Sequence, residues 1–153
     1  MSNPDFDNAL DALTDFASKI DVDLEEVEPE FFGDFASAGF DLRDRVVRYS
    51  SNLESDPEKM IYVLAHELGH AMDLDDMDDE ERLKFLESTR FYNECVVLQS
   101  EFPYCVRNFV LASEKIACEY GELILKMLGI TYGSRRIKSI RNRMLLAYRL
   151  FLR

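Results

Sequence analysis

The sequence predicts an α+β fold, mostly helical, with a small two- or three-stranded sheet packed on one central helix. Three observations carry this. Apolar residues recur at three- and four-residue spacing over most of the 153 positions. Strand formers gather only around residues 45–50, after a stretch punctuated by Pro29, Gly33 and Gly39. The segment that follows, Met60 to Asp73, is apolar enough to be buried and carries both histidines of the chain.

The elements follow in order. Phe6, Leu10, Leu13, Phe16 and Ala17 place a first helix over about 5–20. The acidic segment DVDLEEVEPEFFGDFASAG reads as a loop with a short helical turn, and it offers a third strand to the sheet. Val46, Val47 and Tyr49 form a strand, and the Arg43–Asp44 region turns an earlier short strand back on it. Ser55 and Glu58 form a capping box, with Pro57 in the first turn where its missing N–H costs nothing. The helix they open carries HELGH and ends near Leu74. Acids in DLDDMDDEE cap the next helix, about 79–101, which Pro103 ends. A further helix runs to Gly129, and SRRIKSIRNRMLLAYRLFLR makes the last.

Charge is unevenly distributed. The chain carries a net −12, yet residues 1–134 hold all 30 acids and 11 of the 18 basic residues, a net of −19, while 135–153 hold the other seven bases and no acid. Ile137, Ile140, Met144, Leu145, Tyr148 and Leu152 give that tail an apolar stripe, so it is expected to dock against an acidic body. The overall −12 works against nonspecific nucleic-acid binding, which is not expected. Cys95, Cys105 and Cys118 form no CxxC and read as reduced thiols. No signal peptide and no membrane-spanning run is evident, and the expected localisation is cytoplasmic.

HELGH is where chemistry is expected. Positions i and i+4 of a helix lie on one face about 6 Å apart, so His66 and His70 can aim both imidazoles at one ion. Glu67, one position offset, stands beside a water at that ion and can act as general base. Gly69 costs about 1 kcal/mol of helix propensity, so its missing side chain makes room for a neighbouring strand or a substrate backbone. Asp73 is a candidate hydrogen-bond partner for an imidazole Nδ1.

A third ligand must be a carboxylate, because no histidine remains. Glu94 is favoured: it is flanked by Phe91, Val97 and Leu98, and a buried charge needs a partner or a metal. Its competitors are Glu114, whose helix would have to cross under the site with Ala117 giving close approach, and Glu87.

From Arg45 to Pro103 the sequence resembles the gluzincin metallopeptidases, and within them the ImmA/IrrE-like group. The segment VVRYSSNLESDPEKMIYVLAHELGHAMD carries the likeness, with Glu94-Cys95-Val96-Val97-Leu98-Gln99 and Pro103 as a loose version of the family's downstream glutamate motif. At 153 residues the chain is one domain's worth, and with the resemblance it is expected to be a single zincin-like domain over 1–153. It would comprise an N-terminal helix, acidic loop and sheet (1–54), the zinc helices (55–103) and C-terminal helices with the basic tail (104–153). The resemblance also implies a zinc peptidase with His66, His70 and Glu94 as ligands and Glu67 as base. The substrate would be an intracellular protein, such as a regulatory protein of a phage or mobile element. Tyr92 and Tyr120 are the candidate oxyanion donors, and strand 45–50 the upper edge of the cleft. Two other readings stay open: an inactive zincin-like binding protein, and a nucleic-acid-associated protein acting through its basic last helix.

Overall fold

A computed structural model describes residues 3–33 and 36–153. Met1 and Ser2 of the N-terminal reading, and Asp34 and Phe35 of the acidic-loop reading, lie outside the described residues. Helix α1 spans Pro4–Lys19, with the Asn3 side chain accepting from the Phe6 N–H as its cap. Strands β1 (Asp23–Val27), β2 (Ala38–Asp41) and β3 (Val46–Ser50) follow. Four longer helices complete the chain: α2 (Pro57–Asp76), α3 (Asp79–Val97), α4 (Tyr104–Met127) and α5 (Ile137–Phe151). This is the mostly helical α+β architecture that the periodicities predict.

The three strands pair in the order β1-β3-β2, with β1 parallel and β2 antiparallel to β3. The third strand does come from the acidic segment. Between β2 and β3 the Asp41 carboxylate accepts from the N–H groups of Arg43 and Asp44, which closes the turn at the expected place. One expectation is corrected here. The strand over 45–50 is the centre of the sheet, bonded on both sides, and so has no free edge to offer a substrate. The edges belong to β1 and β2, and β2 is the one beside Glu67.

The start of α2 also departs from the expected capping box. Asp56, not Ser55, is the cap, accepting from the Lys59 N–H, while the Ser55 hydroxyl donates to the Asn52 carbonyl one turn back. Pro57 takes the first helical position. Apolar residues on every side of α2 make it the centre of the core, packed against Leu13, Val47, Ile124 and Ile140 from α1, β3, α4 and α5.

Glycine decides how closely α4 approaches. A Cβ on Gly69 would sit 2.3 Å from the Ala117 carbonyl oxygen, and one on Gly121 would sit 2.9 Å from the Ala65 oxygen and the His66 nitrogen. The two glycines let the backbones of α2 and α4 touch where any side chain would hold them apart. The neighbour that Gly69 admits is therefore a helix. The basic last helix docks, as its stripe predicts: Ile140 is buried, Arg136 pairs with Asp56 (2.6 Å) and Arg141 with Glu122 (2.6 Å).

Candidate metal centre

The α2–α4 crossing builds the site. His66 and His70 project from one face of α2 with ring centroids 4.9 Å apart. From α4, Glu114 places Oε2 at 2.8 Å from His66 Nε2 and Oε1 at 3.3 Å from His70 Nε2. One ligand atom from each of the three lies within 4.8 Å of the others. His66 and Glu114 are buried, and His70 nearly so. Three ionisable groups taken out of water in this way need mutual compensation.

Their electrostatics show how strongly the three groups act on one another. Burial alone would depress the His66 imidazolium, but hydrogen bonds to Cys118 and Glu114 and the nearby carboxylates push it up to about 10. His70 moves the same way, because Glu114 and Glu67 outweigh its burial. Glu114 is driven far below the usual carboxylate range; burial opposes this, and the two histidines overcome it. A carboxylate gripped by two imidazole Nε2 atoms is a set of donors waiting for positive charge. A divalent cation would supply that charge through the same three atoms. The donor set of two imidazoles and a carboxylate fits zinc.

Beyond the ligands, Cys118 lies one turn after Glu114 and places Sγ 3.3 Å from His66 Nδ1, where it orients the ring. Asp73 does not take that role: among the described residues it makes no hydrogen bond to an imidazole, and burial raises its pKa. Glu67 is buried beside the histidines. Its carboxyl is raised by burial, held back by the His70 and His66 charges, and accepts a hydrogen bond from the Phe40 N–H of β2.

The structure does not bring Glu94 to the histidines, and Glu114 stands in its place. Glu94 is exposed on α3 and pairs with Arg90 (3.4 Å) one turn back. The apolar neighbours that favoured it are themselves in solvent, with Val97 80% and Leu98 75% exposed. Glu87 is exposed on the same helix. Tyr120 is also placed elsewhere: six residues past Glu114 it has turned to another face of α4, and its hydroxyl donates to Asp76 at 2.5 Å. Tyr92 does line the cavity beside Glu67, His70 and Glu114, half-buried and stacked on Phe102. Tyr148 from α5 reaches the site too, hydrogen-bonded to Glu114 with its hydroxyl pushed well up by burial. Its only signal in the sequence was its place in the apolar stripe of the tail.

An HExxH helix with a distal glutamate from a second helix, under a small sheet, is a zinc-metallopeptidase-type active site of the zincin pattern. The distal carboxylate makes it gluzincin-like. No protein-family model matches the chain, and comparison with curated proteins and with solved structures gives no match either. Among the described residues no helix is long and apolar enough to cross a membrane.

Proposed function

We propose that this chain is a cytoplasmic zinc peptidase that cleaves an intracellular protein, with His66, His70 and Glu114 as ligands and Glu67 as general base. The observation that carries the reading is the convergence of these three donors with a buried glutamate beside them. The whole of 1–153 acts as one zincin-like unit. The motif around HELGH supports kinship with the ImmA/IrrE-like group, and with it a regulatory substrate of phage or mobile-element type. The ion pairs of Arg136, just before α5, and of Arg141 within it favour docking over nucleic-acid contact.

Zinc, when bound here, supplies a Lewis acid that makes water a competent nucleophile near neutral pH. Glu67 takes the proton from that water as it attacks the scissile carbonyl, and delivers it to the leaving amine. Its raised pKa suits both halves of that task, since a strongly acidic carboxylate would be a poor base. The Phe40 N–H keeps the Glu67 carboxylate in place. The phenols of Tyr92 and Tyr148 stand at the same cavity as donors toward a developing oxyanion. The outer edge of β2 runs beside Glu67 and can pair with an extended peptide.

Metal analysis of protein purified without chelator, paired with Glu67→Gln, tests the reading. One zinc per chain is expected in both proteins, with peptide hydrolysis in the wild type alone. Wild-type activity in Glu67→Gln would remove Glu67 as base, and stoichiometric zinc in His66→Ala and His70→Ala would remove the site.

A further inference from the structure

Two cavities meet at Glu67, one on each side of it along β2, and Ala38 and Tyr148 border both. The second, about 220 Å³, is lined by His70 and Glu114 and walled by Phe40, Leu42, Phe85, Phe109 and Val110. The first, about 280 Å³, has a different character: Lys59, Arg136 and Arg143 line it, and its floor is made of the small residues Ala36, Ser37 and Ala38. Three cations around one hole stand out in a chain of net charge −12.

Among the described residues those cations are only partly neutralised from within. Asp56 is there the one carboxylate in the cavity besides Glu67, and both its oxygens are taken by Arg136, at 2.6 and 2.8 Å. Lys59 and Arg143 make no ion pair among the described residues. Lys59 and Arg143 therefore stand beside the proposed general base with one positive charge left over even when Glu67 is ionised, in a space with room for a single side chain.

The geometry points to a specificity pocket for an acidic residue. We infer that a peptide paired with the β2 edge places a Glu or Asp side chain between Lys59 and Arg143, on the Asp56 side of the cleaved bond. An apolar residue would then lie toward Phe40 and Phe109 on the other side. The inference rests on the peptidase reading above. Lys59 and Arg143 are specificity-determining residues in this scheme; they touch the substrate and not the reacting atoms.

The test uses the zinc-loaded chain and a peptide library in which one position at a time carries Glu, Gln or Lys. Wild type should cleave peptides with Glu at one position beside the scissile bond with a kcat/KM about tenfold above their Gln counterparts, the range set by losing charge attraction at a partly exposed site. Arg143→Glu should abolish that preference or turn it toward Lys, with zinc content and helicity unchanged. Arg149→Glu makes the same change in net charge on another face of α5 and should keep the Glu preference. Equal cleavage of Glu, Gln and Lys peptides at every position overturns the pocket, as does a Glu preference that survives both Arg143→Glu and Lys59→Glu. Wild type that binds zinc fully and cleaves nothing in the library would count against the peptidase reading instead. The pocket is then judged on binding of the same labelled peptides to zinc-loaded Glu67→Gln protein. Glu peptides binding about tenfold tighter than Gln peptides support it, and equal binding overturns it.

Discussion

Helices α2 and α3 are nearly equal in length and adjacent in the chain, yet they sit in the molecule in opposite ways. Twelve of the 20 residues of α2 are buried, including His66 and Glu67. Of the 19 residues of α3 only Cys95 is buried, while Leu83, Phe91, Val96 and Val97 face solvent. The difference comes from what each helix can pack against. α2 has a glycine where α4 crosses it, so two backbones close over its histidines. α3 has no such close approach, and its apolar side chains are spread around the helix without a continuous stripe. An acid with apolar neighbours in the chain is thus no guide to burial, whereas an acid one turn before a close helix crossing is.

The largest expected effect breaks the crossing itself. Gly69→Ala puts a methyl group 2.3 Å from the Ala117 carbonyl oxygen, and neither backbone can yield without separating Glu114 from the histidines. Thermal or denaturant unfolding should show a loss of about 3 kcal/mol or more, with weakened zinc binding. Ser88→Ala in α3 should stay within about 0.5 kcal/mol of wild type. A tolerated Gly69→Ala would mean that the helices do not touch here.

The two candidate third ligands come next. Glu114→Ala should lower zinc affinity by more than about 100-fold, beyond what loss of an outer hydrogen-bond partner costs. Glu94→Ala should leave it within about twofold. A metal titration in the reverse order would restore the assignment that the α3 sequence suggested.

The smallest effect concerns the caps of the two helices. Arg136 hydrogen-bonds Asp56 and holds its carboxyl below the ordinary range; burial opposes this, and the Lys59 N–H adds to it. Its folded pKa is below its unfolded one, so the stabilisation is complete above about pH 4 and fades as the pH falls through the folded value. The pair is a third or more exposed, which limits it to about 1 kcal/mol. Asp56→Asn keeps a capping side chain and loses the charge. Its stability deficit should be present at pH 7 and should shrink below about pH 4 in urea titrations. For α3, Asp78 caps through the Glu81 N–H with no arginine partner, so Asp78→Asn should show a smaller deficit. A deficit for Asp56→Asn that grows on acidification would rule out the pairing with Arg136 as its cause.

By itself the sequence determined the parts of the molecule that depend on neighbours along the chain. Helical periodicity located α1 and α2, the turn at Arg43–Asp44 located the hairpin, and the stripe from Ile137 to Leu152 made the tail a docking helix. The four-residue spacing of HELGH placed two imidazoles and a glutamate on one helix, because i and i+4 share a face whatever surrounds them. Even there the sequence stopped short at the ends: α3 closes at Val97 rather than near 101, where Gln99 takes a left-handed conformation. Tertiary structure alone decided the rest. Glu114 became the third donor, and Cys118 and Tyr148 joined it, through the angle at which α4 and α5 cross α2. That angle depends on Gly69 meeting Ala117 and Gly121 across 48 or more residues of chain, a contact between backbones that no local pattern encodes. β2 rather than β3 became the edge beside the site for the same reason, since strand order in a sheet is set by long-range pairing and not by the propensity of either strand.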